Sequence, residues 1–266
     1  MVFYLFYGWF STVILVIRPL VECETNQIYF FYTFSLKGPF TYILFYKPYN
    51  VLTRFTKDRA EHVSLADFLK VEPDIYPVGR LDADSEGLLL LTNDKKLTSL
   101  IMEPAARKTK TYWVQVDGEI DAEAVRKLEN GIDITVDHKV YRTKPCEVRI
   151  MPHEPVLPPR NPPVRFRISI PTSWVSITLR EGKNRQIRKM CAAVGFPVLR
   201  LVRTKIGELS LGKLQPGKYI TCKREMIYKA LSLPLEEIPH PTSRVKNMQK
   251  TTEKKEKYKS YKKKKP

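Results

Sequence analysis

An α+β chain is the class with which residues 41–235 are compatible, and three observations agree with it without establishing it. Strand-like runs alternate with helix-like runs, Gly, Pro and Asn punctuate the joins, and the helix-like runs carry caps. With 266 residues, 43% of them apolar, the chain can bury one large core or two modest ones. Alternation alone leaves the order of the sheet open.

The first forty residues stand apart. Val2 to Ile17 is almost wholly apolar or aromatic until Arg18-Pro19 breaks the run. A membrane span needs roughly 20 such residues, so this stretch is short for one. It also lacks the basic start and small-residue cleavage site of a signal peptide. Ile28 to Phe34 is again aromatic-rich, with neither helical nor alternating period. Three readings stay open: a short membrane-associating segment, an extra strand or flap, or translated sequence upstream of a misplaced start. The last is preferred. The next methionine is Met102, so a start near residue 37 would use a non-Met codon.

From residue 41 the elements are easier to justify. Tyr42 to Tyr46 is strand-like and ends at Lys47-Pro48-Tyr49-Asn50, a turn by composition. Ser64 to Lys70 reads as a short helix, with Ser64 at the N-cap and Leu65, Phe68 and Leu69 on one face. Ile75-Tyr-Pro-Val then leads into the stretch from Gly79 to Asp94. Its first half sets Arg80, Asp82, Asp84, Ser85 and Glu86 between two glycines, a tight polar loop. Its second half holds four leucines, a buried strand. A carboxylate on such a loop, braced by a core strand, is held rigidly and partly desolvated, which suits a catalytic acid or nucleophile. On this stretch alone the plainer reading is favoured, an Asp-rich surface turn feeding the core.

Asp94 caps a helix through Met102 that turns Leu97, Leu100 and Ile101 inward before Pro104 stops it. Lys108 to Val116 alternates like a half-buried strand, and Tyr112 within it reads as a packing residue with its hydroxyl at the surface. Asp121 to Asn130 is an amphipathic helix closed by Gly131, and Asp133 to Ile150 alternates as paired strands. Pro158 to Arg167 is stiff, basic and extended. Its prolines suit a loop that holds Arg160 and Arg165 against phosphates, or else an ordinary insertion. Ser176 to Leu179 is a strand. After it, Glu181 to Met190 makes a glycine turn and a helix start whose N–H groups, with Arg185, Arg188 and Lys189, face anions.

Together these segments resemble the RNA pseudouridine synthases, in the branch that modifies ribosomal RNA. The resemblance rests on K-P-x-x-V-L-T from Lys47, G-R-L-D-x-D-S-E-G-L-L-L-L-T-N-D from Gly79, K-x-Y-x-V around Tyr112, and E-G-x-N-R-Q-x-R-x-M from Glu181. It covers roughly residues 41–225. The lack of an S4-type module, the R-N-P-P-x-R loop and the segment from Ile170 to Trp174 are most similar to members acting on the large subunit. The fold it implies is α+β: a mixed, mainly antiparallel central sheet with flanking helices, a central cleft and no S4 domain. The reaction it implies turns one uridine of 23S ribosomal RNA into pseudouridine without a cofactor. Uracil must leave its ribose, turn over and rejoin through C5, so the target has to be flipped out of its stack. The resemblance places the catalytic aspartate at Asp82, as nucleophile or base at the ribose. It places at Tyr112 the tyrosine that stacks on the base and can take the C5 proton. The arginine that pairs with the aspartate, keeping it ionised, falls at Arg188. Arg80, Lys110, Arg160, Arg165, Arg185, Lys189 and Arg203 are assigned to binding RNA.

Charge agrees with a polyanionic partner. Net charge is +18, and from Ser243 to Pro266 eleven Lys and Arg face two Glu, half of that excess. Three parts follow: an apolar extension over 1–40, a catalytic domain over 41–235, and a disordered Lys-rich tail over 236–266. Four cysteines lie far apart with no C-x-x-C pair, and four histidines make no ligand spacing. No disulfide framework and no metal are expected, and a reducing cytoplasm is the default compartment. The partner expected is 23S RNA, free or in a pre-ribosomal particle, met by a monomer without stable membrane association. The rival from another class is a non-catalytic ribosomal RNA-binding or assembly factor on the same fold.

Overall fold

The structure is a computed structural model that describes residues 40–103, 108–165 and 170–235, with the backbone of 5–7 and 13–15. The chain divides into two compact units, 1–233 and 234–266, and the architecture below belongs to the first. The expectations for the tail and for most of residues 1–40 lie outside the described residues. Within the latter, β1 (Leu5–Tyr7) and β2 (Val13–Leu15) pair antiparallel.

β3 (Tyr42–Lys47) is buried along its whole length. The chain turns after it into β4 (Val51–Leu52), which pairs in parallel with β5 (Val63–Ser64). The helix expected from Ser64 to Lys70 is only a 3-10 turn, Leu65–Asp67. Ser64 and Asp67 close a capping box and Leu65 and Leu69 are buried. Pro73 follows within two turns and forces the residue before it out of helical geometry, too soon for an α-helix to propagate. β6 (Tyr76–Pro77) then leads through the loop 79–85 into β7 (Glu86–Thr92).

The leucine run is covered on both faces, which is what an unbroken apolar strand requires. Leu88 and Leu90 pack with Tyr42, Leu44 and Tyr46; Leu89 and Leu91 pack with Ile43, Phe45 and Leu65. α1 (Lys95–Met102) begins at Asp94 as expected. The Asp94 carboxylate accepts the Leu97 N–H at 3.0 Å and the hydroxyls of Tyr42 and Tyr228 at 2.7 Å each.

β8 (Lys110–Asp117) and α2 (Ala122–Glu129) follow, the helix capped by Asp121 at 2.7 Å from the Ala124 N–H. Of the paired strands expected from 133 to 150, β9 (Asp133–Val136) and β10 (Lys139–Arg142) form a separate hairpin. β11 (Glu147–Met151) instead joins the main sheet against β12 (Thr172–Leu179). The rest is α3 (Gln186–Ala193), β13 (Val198–Ile206), β14 (Leu209–Ser210), β15 (Tyr219–Thr221) and α4 (Arg224–Ala230).

Among the described residues the main sheet has nine strands in the order β11-β12-β8-β13-β7-β3-β15, with β14 added to β13 and β6 to β7. Of these described pairs in the main sheet, only β13 and β7 run parallel. The sheet is thus mixed and mainly antiparallel, as expected. Gly87 sits opposite Arg203 at that parallel junction with φ +111, and a Cβ there would lie 2.3 Å from the Arg203 carbonyl oxygen. Only glycine lets the two strands approach so closely. The loop before β7 therefore opens directly beside β13 and β8.

Candidate active site

The loop that carries Asp82 is clamped by its backbone. The carbonyl of Arg80 accepts from Arg203 Nη1 at 3.4 Å, and that of Leu81 from the Thr53 hydroxyl. The carbonyl of Asp82 accepts from the Ser85 N–H at 3.0 Å. That of Ala83 accepts from the Asn50 N–H at 2.8 Å and Lys47 Nζ at 3.2 Å, and that of Asp84 from Arg188 Nη2 at 2.6 Å. Every carbonyl from residue 80 to 84 thus has a donor, and four of the five are reached from elsewhere in the fold. The Asp82 side chain itself enters no hydrogen bond or ion pair with another described residue. A fixed backbone under a free, half-buried carboxylate is the arrangement a nucleophile or base needs.

Lys47 is the least expected member of this clamp. It is wholly buried, and its Nζ also donates to the carbonyls of Pro48 and Val51 at 2.9 and 2.8 Å. Three carbonyls match the three N–H bonds of an ammonium. Burial nevertheless pulls its pKa down to about 7, against the opposing pull of Glu86, Asp84 and Asp82. Beneath the loop, Glu86 and Arg200 form a buried two-pronged pair at 2.8 and 2.9 Å. Arg200 also holds the Pro158 carbonyl at 2.9 Å, tying down the proline-rich segment.

Asp82 and Tyr112 line one cavity of about 620 Å³. Arg80, Lys108, Lys110, Lys144, Arg180, Lys183, Arg185 and Arg203 share its walls, so cations outnumber carboxylates there. Arg188 is not in the wall. Its guanidinium is directed to Asp84, with Nε 3.3 Å from Oδ2, and Nη1 donates to the Val198 carbonyl at 3.3 Å. Burial lowers its pKa, with Asp84 ahead of Asp82 among the charges that restore it. The partner expected for Arg188 was Asp82; the structure gives it Asp84, two residues on.

The opposite rim is a turn held by side chains. The Glu181 carboxylate accepts from the Tyr141 hydroxyl at 2.5 Å, the Lys144 N–H at 2.9 Å and Gln186 Nε2 at 2.6 Å. Burial pushes Glu181 up, but these bonds outweigh it and hold its carboxyl below the usual range. The bond to Glu181 raises Tyr141 to about 12. Gln186 closes the turn by accepting the Lys183 N–H at 2.9 Å, and Arg185 opens α3 in the left-handed region at φ 52. Arg185 Nη2 reaches across to Asp84 Oδ2 at 2.8 Å.

The residues assigned to RNA divide into three groups. Arg80, Arg165 and Arg185 are exposed and Lys189 is half-buried, and Arg80 and Arg185 stand in the cavity wall. Arg160 is spent on the protein: it donates to the carbonyls of Pro162, Pro163 and Leu199 and stacks 4.3 Å over the Tyr49 ring. It braces the loop instead of presenting itself to phosphate. Lys110 and Arg203 lie inside the cavity, Arg203 only 3% exposed. Sequence reasoning missed Lys47, Asp84, Glu181 and the Glu86–Arg200 pair. Asp84 and Glu181 stood within the quoted motifs, but nothing in a motif says which charge meets which.

A larger hollow, about 1070 Å³, lies against Thr111, Trp113, Ser176 and Thr178, the strand positions alternating with Tyr112 and Ile177. It holds neither Asp82 nor Tyr112. Among the described residues no cluster of His, Cys, Asp and Glu is placed to hold a metal ion, and no helix is long and apolar enough to cross a membrane.

Comparison with known proteins follows the same residues. Residues 41–193 match the family model for RNA pseudouridylate synthase. The chain is 48% identical to the ribosomal large subunit pseudouridine synthase E of Vibrio parahaemolyticus, over 66% of this chain and 71% of that one. It is 44% identical to the protein of the same name from Xanthomonas campestris pv. campestris, over 66% and 92% of the two chains. A crystal structure of a pseudouridylate synthase, 24% identical, shares the fold with a TM-score of 0.59 over 74% of this chain and 76% of that one.

Proposed function

Because this chain belongs to the RNA pseudouridylate synthase family and isomerises uridine to pseudouridine in ribosomal RNA, we propose that Asp82, Tyr112 and Arg188 carry that reaction and that its target lies in 23S RNA. One observation supports the catalytic assignment above others. Among the described residues Asp82 is the loop carboxylate left without a partner, and it shares a cavity with Tyr112. The 23S target is supported by relatives named for the large subunit.

In this reading Arg80, Arg165, Arg185 and Lys189 hold the RNA strand while the target base swings into the cavity. Asp82 then attacks the ribose carbon or removes a ribose proton, the C1′–N1 bond breaks, and the base turns and rejoins through C5. Tyr112 stacks on the ring and takes the C5 proton at the end. Arg188 acts on Asp82 through the loop, by fixing Asp84. No cofactor enters the proposal, the chain works as a monomer in the cytoplasm, and the RNA is met free or in a pre-ribosomal particle.

Asp82→Asn tests it. Single-turnover pseudouridine formation should fall by more than about a thousandfold while RNA affinity stays within a few fold, since one group does the chemistry and many supply binding. Turnover within a hundredfold of the unmodified chain would remove Asp82 from the reacting atoms.

A further inference from the structure

We propose that Lys110 and Arg203 form the subsite that grips the carbonyl oxygens of the flipped uracil and takes up the negative charge of the base when it leaves the ribose. The proposal rests on the reading of the cavity as a uridine site and says what the base meets at its floor.

The two cations are neighbours of Tyr112 by strand register. Lys110 and Tyr112 point to the same side of β8, and Arg203 on β13 is paired with Tyr112. Both line the cavity together with Asp82. Val78, Leu90, Ile101, Leu201 and Ile206 give the same cavity apolar surface. Arg203 spends Nε on the Leu88 carbonyl at 2.8 Å and Nη1 on the long bond to Arg80, but its buried Nη2 has no partner among the described residues. Among the described residues Lys110 Nζ has one bond, a long one to the Lys108 carbonyl at 3.4 Å. Burial, and then the charge of Arg203, both work against its proton. Two under-satisfied cations in one cavity wall are relieved by an anionic or strongly accepting ligand. Lys110 is half-buried and Arg203 is 3% exposed, so that ligand is one that enters the cavity, as a flipped base does, and Arg203 Nη2 meets it after a shift of its side chain.

Uracil has what they lack. When the C1′–N1 bond breaks, its electron pair passes to the ring, and the charge spreads over N1, O2 and O4. Meanwhile Asp82 is bonded to C1′ or holds a ribose proton. Turning the ring about its C6···N3 line exchanges N1 with C5 and O2 with O4. The two donors therefore meet carbonyl oxygens both before and after the turn. C5 then gives a ring electron pair to C1′ as the Asp82–C1′ bond breaks and its pair returns to the carboxylate, or as Asp82 gives the proton back to the ribose. The C5 proton leaves, its pair returns to the ring, and N1 takes up a proton. Donors fixed in a low-dielectric site act on charge that develops there, which is where they accelerate most.

The test compares uridine with 5-fluorouridine at the target position of the same RNA, in single turnover, using the full chain. Fluorine makes the departing base a better anion, so less help is needed from the protein. Lys110→Met should slow loss of the C1′–N1 bond by about 100- to 1000-fold with uridine. With 5-fluorouridine the slowing should shrink to about tenfold, RNA affinity staying within a few fold. Equal slowing on both substrates, or none on either, overturns the proposal. Should Lys110→Met not fold, Lys110→Gln keeps a donor without the charge and is read by the same ratio. An unmodified chain that rearranges neither RNA would instead bring down the enzyme reading. That outcome is distinct from an active chain whose Lys110 variant is indifferent to fluorine.

Discussion

The loop carrying Asp82 and the turn carrying Arg185 face each other across one cavity, and they are held in opposite ways. The loop is gripped by its carbonyls, largely by buried cations and neighbouring N–H groups, and leaves its key side chain free. The turn is gripped by side chains, with Glu181 at the hub, and leaves Lys183, Asn184 and Arg185 exposed. In the proposed reading chemistry needs one carboxylate at one place, which an over-determined backbone supplies. In the same reading RNA needs a set of cations that can follow a strand, for which a turn tied at its base suffices. Damage to the loop should therefore appear in kcat, and damage to the turn in RNA affinity.

Lys47→Met is the largest expected break on the loop side. It takes one donor from each of three carbonyls, of which that of Ala83 keeps the Asn50 N–H, and each buried loss typically costs about 1–3 kcal/mol without full additivity. Stability in urea should fall by at least that much. A carboxylate displaced by about 1 Å can lose a hundredfold in rate, so kcat should fall about a hundredfold while affinity for RNA is kept. Titrating the unmodified chain sharpens the point. The ordinary lysine value is 10.5 and the folded one about 7. Between the two, the unfolded chain binds more protons, so this group's contribution to stability rises with pH; below 7 it is charged in both states and the contribution is flat. Over the same window the neutral amine has two N–H bonds for three carbonyls, so kcat should fall. Slopes of stability and kcat that run together would take Lys47 out of the clamp.

Glu181→Gln breaks the turn with little change of volume. It replaces an acceptor of three bonds by an amide whose NH2 opposes the donors of Gln186 or Tyr141. Affinity for RNA should weaken by about tenfold, or about 1.4 kcal/mol, with kcat within a few fold. The Tyr141 phenol, freed of its carboxylate, should titrate nearer 10 than 12 in difference spectra. A fall in kcat with affinity unchanged would mean that the turn shapes the reacting site and not the grip on RNA.

Much of this was legible in the sequence, for physical reasons that also explain what was not. The leucine run could only be a strand covered on both faces, and Asp94 and Asp121 cap helices because their carboxylates reach the first turn. The cap at Ser64 was equally legible, yet the helix behind it stopped at one turn because Pro73 follows. Motif spacing brought Asp82 and Tyr112 to one cavity. Spacing says nothing about which charge meets which, so Arg188 was expected on Asp82 and lies on Asp84. Depth is equally silent in a motif: Arg160, Arg165 and Arg203 look alike in the chain. One braces carbonyls, one is exposed and one is buried.

The smallest expected effect decides to which region Arg185 belongs. Its backbone is in the turn, but its guanidinium is on Asp84, the residue that also receives Arg188. The Asp84 bond raises the Arg185 pKa, yet Arg185 is 45% exposed and Asp84 30%, so solvent screens the pair and little stability rides on it. If Arg185 serves the turn, Arg185→Gln should weaken RNA binding a few fold. It should also lower the log–log salt dependence by about 0.7, the share of one phosphate contact on a single strand. Arg188 would still hold Asp84, and kcat would stay within about twofold. If Arg185 serves the loop, the salt slope should stay fixed while kcat drops, because Asp84 would then be held from one side only. A combined Arg185→Gln, Glu181→Gln chain separates the two directly. In the first case its loss of affinity should be smaller than the product of the single losses, since one turn is being broken twice; in the second the two losses should multiply.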